Sequence, residues 1–245
     1  MNPKPGTSLV VVHPDENVLA HAIAARWLTA ILDLQSVQRP VHMGLTGGTL
    51  GITMLEAAAA SPLLDAVDWT GVHLWWGDER FCPVGDADRN EVQAREALLD
   101  LLVESYGLPE ANIHAVAGPD VVDSPEESAA LWAKDLAGVV FDVLILGMGP
   151  DGHVASLFPG HPELTATGLT VGVHDSPKPP PLRVSLTFDA IRASREVWMI
   201  VSGAGKAEKA AAALASDDIA QTPAAGVWCQ GRTLWLLDTA AADAP

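Results

Sequence analysis

Cysteine is nearly absent from this sequence, since only Cys82 and Cys229 occur among 245 residues. Neither lies in the paired C-x-x-C spacing of a structural zinc site or a redox motif, and two cysteines cannot build a disulfide framework. The sequence also lacks any run of about 18 uncharged apolar residues. Its first segment, Met1–Thr7, has neither the charged start nor the apolar core of a signal peptide. A cytoplasmic protein without a membrane partner is therefore expected.

Basic residues are scarce as well, because 14 Lys and Arg face 31 Asp and Glu, for a formal net charge of -17. Nucleic acids and anionic membranes bind proteins through an excess of Lys and Arg, so neither is an expected partner. In so acidic a chain, an anionic ligand can bind only where a few cations and backbone amides converge. Arg80, Arg183 and Lys206 are candidates for such a place, although a single Lys or Arg is more often a solvated surface charge.

The chain has enough apolar residues, 49% of 245, to bury one large core, and no shift in composition marks a boundary. Residues 1–245 are therefore expected to form a single domain. Short apolar runs alternate with segments of helical period, which is typical of an α/β fold with a doubly wound, mostly parallel, Rossmann-like sheet and helices on both faces. The predicted strands are Ser8–His13, Val41–Leu45, Val72–Trp76, Phe141–Leu146, Arg183–Thr187, Val197–Val201 and Leu234–Leu237. The predicted helices are Val18–Leu34, Leu50–Ala60, Asn90–Leu102, Pro125–Leu136 and Lys206–Leu214.

Four polar or glycine-rich segments directly follow predicted strands: Gly47–Thr49, Gly77–Arg80, Gly147–His153 and Ser202–Lys206. The carboxyl ends of parallel strands lie at one edge of a sheet, and ligands of doubly wound folds bind at that edge. We therefore expect these four segments to converge on one site.

The segment Gly47–Thr49 joins a strand to a helix, so Gly47, Gly48 and Thr49 would present free amides and a hydroxyl at a helix N-terminus, where an anion is favoured. A phosphate would fit there, although a Gly-Gly turn can also be no more than a tight connection. The segment is neither a Walker loop nor a G-x-G-x-x-G fingerprint, so nucleotide binding is not indicated.

The segment Gly147–His153 combines glycines with ionisable side chains. Its glycines would let a substrate approach the backbone, and His153 carries an imidazole, the side chain best suited to exchange a proton near neutral pH. Asp151 could orient the imidazole. A lone His is more often structural, but its position after a buried strand and beside Asp favours a catalytic role. The other histidines show no spacing typical of metal ligands, and no metal is expected.

The segment Gly77–Arg80 places Asp78, Glu79 and Arg80 just after a strand. Such a group can be a surface salt-bridge cluster, but the guanidinium of Arg80 also matches phosphate oxygens in two bonds at once. Lys206 starts a predicted helix, which is the unfavourable end of the helix dipole for a cation unless an anion lies nearby.

Together these segments resemble the 6-phosphogluconolactonases. The resemblance rests on Trp76–Phe81, Asp88–Asn90, Leu146–Pro162, Arg183–Thr187, Ser202–Lys206 and Trp235–Asp238, and LGMGPDGHVASLFPGHP is its most specific part. It implies a fold shared with glucosamine-6-phosphate deaminases and ribose-phosphate isomerases. It also implies hydrolysis of 6-phosphoglucono-δ-lactone to 6-phosphogluconate without metal or cofactor. Apart from the resemblance, a monomer or small homo-oligomer is expected. By the same resemblance His153 is the general base, and Thr46–Thr49, Arg80 and Lys206 hold the phosphate.

These assignments give a mechanistic hypothesis. His153 would take a proton from the attacking water and Asp151 would hold the imidazole, while the amides of Gly149 and Gly152 would stabilise the oxyanion. Arg183 and Asp78 would complete the substrate site. One rival is an aminosugar-phosphate deaminase or isomerase, whose Asp-Gly-His motif continues into Asn-Glu-Pro where this chain has Leu157–Pro159. A non-catalytic sugar-phosphate sensor is a second rival, disfavoured because no helix-turn-helix is appended.

Overall fold

The computed structural model describes residues 6–243, which form two sheets and eight α-helices. The nine strands are β1 (Thr7–His13), β2 (Val41–Leu45), β3 (Val72–Trp76), β4 (Asp78–Arg80), β5 (Val143–Gly147), β6 (Thr170–Val173), β7 (Arg183–Leu186), β8 (Glu196–Val201) and β9 (Arg232–Asp238). Six of them form a parallel sheet in the order β1-β9-β8-β5-β2-β3. The other three form a small antiparallel sheet in the order β4-β7-β6.

Helices cover both faces of the parallel sheet. They are α1 (Glu16–Gln35), α2 (Thr49–Ala59), α3 (Asn90–Ala94), α4 (Asp100–Tyr106), α5 (Pro125–Asp135), α6 (Phe188–Ala193), α7 (Ala207–Ala215) and α8 (Thr239–Ala242), and a π-helical turn joins α3 to α4. Side chains alternate along β5, so that Val143 and Ile145 join the core beneath α1 and α2, whereas Leu144 and Leu146 join the core beneath α5 and α7. The predicted doubly wound α/β class is confirmed.

The predicted start of α5 is confirmed in detail. The Ser124 hydroxyl accepts a hydrogen bond from the Glu127 amide at 3.2 Å, and the Glu127 carboxylate accepts one from the Asp123 amide at 3.1 Å. Pro125 occupies the first helical turn, where its missing N–H would have no partner in any case. This boundary was predictable from the sequence because the contacts that define it are local hydrogen bonds between residues 123 and 127.

Two predictions for the region around the small sheet need correction. No strand was predicted between Val72–Trp76 and Phe141–Leu146, but Asp78–Arg80 forms β4. The strand expected at Arg183–Thr187 pairs antiparallel with β4 instead of joining the parallel sheet. A strand of three residues is too short to show an alternating pattern, and Asp78 and Glu79 are not residues typical of strands. The pairing places Arg80 opposite Arg183, so the small sheet brings two predicted cations together.

The strand order creates a switch point between β2 and β5. From β2 the chain continues outward to β3, whereas from β5 it continues in the other direction to β8 and β9. The loops that follow β2 and β5 therefore leave in opposite directions and open a crevice at the carboxyl edge. The Thr46 hydroxyl bridges them by accepting a hydrogen bond from the Gly147 amide at 3.2 Å.

Within residues 6–243, no helix is both long enough and apolar enough to cross a membrane. The same residues include no group of three or more His, Cys, Asp or Glu side chains arranged to hold a metal ion.

Three histidines form a half-buried cluster on β2, β3 and the following loop, away from the crevice. His73 Nδ1 lies 2.8 Å from His114 Nε2, and the Trp75 indole stacks on the His114 ring and donates a hydrogen bond to His42 Nδ1 at 3.2 Å. Burial, together with the charges that His73 and His42 would carry, lowers the pKa of His114 to about 4. Burial also lowers the pKa of His42 and of His73.

We expect this cluster to make the fold sensitive to mild acid. The unfolded chain binds these protons near pH 6.5 and the folded chain only near pH 4 for His114, so the stability present above pH 6.5 falls as the pH drops towards 4. Protonation of His114 should lower the free energy of unfolding by on the order of 1–2 kcal/mol. Urea unfolding of wild type and His114→Gln between pH 4 and 8 measures this, and an equal pH slope for both proteins would contradict it.

Candidate active site

A pocket of about 250 Å³ occupies the crevice at the switch point. Its walls come from the loops after β2 and β5, from β4, from the start of α3 and from the proline-rich loop before β7. The structure brings nine of the predicted site residues to this pocket: Gly47, Gly48, Thr49, Asp78, Arg80, Gly149, His153, Arg183 and Lys206. Asp151 touches the pocket only through His153, and Gly152 lies behind it. The expected convergence of the four segments is therefore confirmed.

The loop after β2 presents the N-terminus of α2 to the pocket. Gly48 is the N-cap residue with φ of +80°, no side chain caps the helix, and a Cβ at Gly48 would meet nothing within 4 Å. The first amides of a helix have no intrahelical partner and carry the positive end of its dipole. Space, free donors and positive potential therefore coincide where a phosphate was predicted.

His153 and Asp151 form a close pair in the loop after β5. Their Nδ1 and Oδ1 atoms are 2.5 Å apart, and the His153 side chain is 15% exposed. Burial alone would raise the pKa of Asp151, but the hydrogen bond from His153 and its charge lower that pKa to about 2. Asp151 is therefore ionised at any neutral pH, and a Nδ1–H donated to it leaves the lone pair on Nε2 of a neutral imidazole.

Gly149 gives the imidazole its space. A Cβ on Gly149 would lie 2.0 Å from Cε1 and 2.2 Å from Nδ1 of His153, which no side chain can tolerate. The ring also packs against the buried Phe158, with 4.7 Å between the ring centroids. His153 is therefore held by a hydrogen bond on one side and by close packing on two others.

The expected oxyanion role of the Gly149 and Gly152 amides does not fit the geometry. The Gly149 amide donates to the His153 carbonyl and the Gly152 amide donates to the Gly149 carbonyl, each at 3.0 Å. Gly152 adopts φ of +85° to close this turn. Both amides are used to fold the loop that carries the imidazole, and neither is free for a ligand.

Asp78 is tied into the wall of the pocket by two buried neighbours. Its Oδ2 accepts a hydrogen bond from the Ser156 hydroxyl at 2.6 Å and lies 3.8 Å from the Arg183 guanidinium. Ser156 belongs to the segment 156–162, whose part in the site was suggested only by resemblance. The structure now gives that segment two contacts with the site, namely Ser156 to Asp78 and Phe158 to His153.

Arg183 organises the proline-rich loop more than it faces a ligand. Its guanidinium donates to the carbonyls of Lys178, Pro179 and Pro180 at 3.2 Å each. Burial lowers the pKa of Arg183, while the nearby Asp78 opposes that shift. Because most of its donors are engaged within the protein, Arg183 mainly holds this loop against the pocket.

That loop carries Lys178, a pocket residue that the sequence argument missed. Lys178 is exposed and close enough to Lys206 that its charge lowers the pKa of Lys206, second to the effect of burial. The scarcity of cations was the available clue, but nothing in the sequence placed residues 177–181 beside the strand ends. Asn90 was missed as well. It lines the pocket, and its side chain donates to the Asp78 carbonyl at 2.8 Å.

Arg80 and Lys206 face the pocket with unused donors. Among residues 6–243, no hydrogen bond or salt bridge engages the Lys206 ammonium group, and Arg80 Nε is buried without a partner. Arg80 is fixed by a hydrogen bond from its Nη1 to the Asp88 carbonyl. With Lys178 and the N-terminus of α2, these groups form the positive side of the pocket in a chain of net charge -17.

Comparison with known proteins places this arrangement in a family. The family model for glucosamine-6-phosphate isomerases/6-phosphogluconolactonase matches residues 14–235. The chain is 49% identical to the 6-phosphogluconolactonase of Streptomyces coelicolor, over 97% of this chain and 94% of that protein. It is 41% identical to the 6-phosphogluconolactonase of Mycobacterium tuberculosis, over 96% and 98% respectively. The solved structure of 6-phosphogluconolactonase from Trypanosoma brucei superposes with a TM-score of 0.82 at 25% identity, covering 97% of this chain and 98% of that one.

The matched region contains β2, β3, β5, β8 and the first part of β9 of the parallel sheet, and all the residues that line the pocket. The chain therefore belongs to the glucosamine-6-phosphate isomerase/6-phosphogluconolactonase family.

Proposed function

We propose that the chain hydrolyses 6-phosphoglucono-1,5-lactone to 6-phosphogluconate, the lactone step of the oxidative pentose phosphate pathway. The observation that carries this proposal is the placement of the His153–Asp151 pair in the same pocket as three cations and a helix N-terminus. One end of the pocket suits proton transfer and the other suits a phosphate. The 6-phosphogluconolactonases to which the chain is 41–49% identical support the same reaction.

In the proposed mechanism His153 Nε2 removes a proton from water while the water oxygen bonds to the lactone carbonyl carbon. The bond from that carbon to the ring oxygen then breaks, and the imidazolium returns its proton to the departing oxygen. Asp151, ionised beside Nδ1, stabilises the imidazolium and fixes the ring orientation. The products are a carboxylic acid, which ionises, and a hydroxyl group on the same sugar chain.

The phosphate is proposed to lie between the N-terminus of α2 and the side chains of Arg80, Lys178 and Lys206. Charge-assisted hydrogen bonds of this kind contribute about 1.5–3 kcal/mol each. Lys206→Ala should therefore raise KM at least about tenfold and change kcat little, because the phosphate is remote from the bond that breaks.

A coupled assay that compares 6-phosphogluconolactone with unphosphorylated gluconolactone tests the proposal. We expect kcat/KM to be about 100-fold lower for the unphosphorylated lactone, since at least two charge-assisted bonds are lost. In Lys206→Ala the ratio of kcat/KM for the phosphorylated lactone to that for the unphosphorylated lactone should be smaller, because one of the groups proposed to bind the phosphate is missing. Equal rates on both lactones in wild type would rule out the phosphate site and leave a generic lactonase.

The rival activity is deamination or isomerisation of an aminosugar phosphate, since the matched family includes glucosamine-6-phosphate isomerases. Phe158 argues against it, because an aromatic ring packs on His153 at the segment where such enzymes carry a carboxylate. Release of ammonia from glucosamine 6-phosphate would support the rival.

We also infer that residues 1–245 act as a single domain, since the pocket joins residues from Thr46 to Lys206. The acidic chain supports a small phosphorylated lactone, and not nucleic acid, as its partner. We propose the cytoplasm as its location and a monomer or small homo-oligomer as its state.

A further inference from the structure

Glu79 is a buried carboxylate between two residues that line the pocket. Its neighbours Asp78 and Arg80 both reach the pocket, whereas Glu79 points into the protein and is 1% exposed. An ionisable group at such a position needs partners, because burying an unpaired charge is strongly unfavourable. The partners of Glu79 show what it does.

Three backbone amides donate to the Glu79 carboxylate. The Arg80 and Asn90 amides donate to Oε1 at 2.8 and 2.7 Å, and the Glu91 amide donates to Oε2 at 2.9 Å. Glu79 therefore ties β4 to the first turn of α3, which begins eleven residues further along the chain. Through these bonds a single side chain fixes the backbone of both Arg80 and Asn90.

Asn90 extends this linkage to the phosphate loop. Its side-chain amide donates to the Asp78 carbonyl at 2.8 Å, and its Oδ1 packs so closely on Gly47 that a Cβ there would lie 1.9 Å away. A shift of Asn90 would therefore move the wall against which Gly47–Thr49 is packed. Glu79 thus acts on two parts of the proposed phosphate site, Arg80 directly and the glycine loop through Asn90.

We propose that Glu79 is a positioning residue whose negative charge holds Arg80 and Asn90 in the geometry that binds the phosphorylated ligand. This inference rests on the proposed function for the identity of the ligand. The carboxylate touches no substrate in this scheme, and it acts only through the two backbones that it anchors.

The charge of Glu79 is adjustable near neutral pH. Burial raises the pKa of Glu79 to about 7, while the charge of Arg89 and the three amides favour the ionised form. The other charged or titratable groups that face it are Arg183 on β7 and the Cys82 thiol, and Glu91 on α3 offsets Arg89 at 3.5 Å. Protonation removes the negative charge of Glu79 and turns one of its two acceptor oxygens into an O–H donor. The hydrogen bonds from the three amides then weaken, so the anchor loosens as the pH falls through 7.

Binding of the stable product 6-phosphogluconate, measured by calorimetry between pH 6 and 8, tests the proposal in wild type, Glu79→Gln and Glu104→Gln. Glu104 is exposed on α4 and lies outside the pocket, so its variant controls for the loss of one negative charge. At pH 8 we expect the Kd of Glu79→Gln to be about tenfold larger than that of wild type. At pH 6 the two Kd values should agree within about twofold. Ionisation of the ligand phosphate affects all three proteins equally and cancels in the ratio.

If the ratio of the Kd of Glu79→Gln to the Kd of wild type stays constant from pH 6 to 8, the proposal is overturned. A purely structural role of Glu79 would not depend on whether its side chain is ionised. If Glu79→Gln does not fold, wild type alone decides: the amide protons of Arg80, Asn90 and Glu91 should shift together in NMR spectra, with a midpoint near pH 7. Absence of that shift refutes the inference without any ligand. Failure of the proposed function is distinguishable, because wild type would then show neither lactonase activity nor product binding.

Discussion

Replacing His153 with alanine is expected to lower kcat for 6-phosphogluconolactone hydrolysis about 10³-fold and to leave KM within a few-fold. A positioned general base contributes about 10²- to 10⁴-fold, and among residues 6–243 His153 is the one histidine that lines the pocket. KM should change little because the groups proposed to hold the phosphate lie on other loops. Initial rates, after subtraction of spontaneous hydrolysis, measure both constants.

His161→Ala is the matched control for this experiment. His161 lies in the same segment and packs on Phe158, with 5.6 Å between ring centroids, but it does not line the pocket. Its kcat should stay within about threefold of wild type. Asp151→Asn should retain the ring but lose the charge that stabilises the imidazolium, so its kcat should fall between the two. A kcat for His153→Ala close to that of wild type would refute the assigned base.

Gly149→Ala is expected to lower kcat nearly as much as the loss of the imidazole itself. The added methyl group would overlap Cε1 and Nδ1 of His153 and approach Asp151 Oδ1 at 2.7 Å, so the ring must leave its place and the 2.5 Å hydrogen bond must break. The Gly149 amide can still donate to the His153 carbonyl, so the loop and the fold should survive. Rates together with a thermal melt separate loss of catalysis from loss of structure.

A double-mutant cycle gives this prediction its sharpest form. Once His153 is alanine, no ring remains for the Gly149 methyl group to displace, so adding Gly149→Ala to His153→Ala should cost less than about threefold more. Gly205→Ala serves as the control glycine, because a Cβ there meets nothing within 4 Å and its φ is not positive. Additive losses from Gly149→Ala and His153→Ala would show that Gly149 acts by another route.

The parallel sheet was predictable from sequence because its strands are short apolar runs that alternate with long helical patterns. The bounds Val41–Leu45 and Val72–Trp76 were predicted without error, and α5 began at its expected cap. The antiparallel sheet was not predictable in the same way. The strand β4 has three residues, two of them acidic, and its existence depends on Arg183–Leu186 pairing with it from about 100 residues away. No local pattern records such a pairing.

The site divides along the same line. Residues that follow the parallel strands were found, since strand order alone places their loops together. Lys178 and Asn90 were missed because the antiparallel sheet and the Glu79 anchor bring them in. The expectation for Gly149 and Gly152 was wrong for a similar reason. Their amides were expected to be free, but both donate to carbonyl groups of the same loop. Sequence spacing shows which donors are near a site but not which are already used.

Because the pocket is positive and the rest of the chain is acidic, we expect the protein to select anionic ligands by size as well as by charge. In the pocket of about 250 Å³ a small sugar phosphate would lie close to Arg80, Lys178, Lys206 and the helix terminus, and the lining carboxylate of Asp78 is already engaged by Ser156 and Arg183. A polyanion too large to enter must stay against a surface whose charge is dominated by 31 acidic residues. At physiological ionic strength the screening length is roughly 8 Å, and within that distance the acidic surface should repel the polyanion. We therefore expect the cations of the pocket to bind a small metabolite in preference to RNA, DNA or anionic lipid.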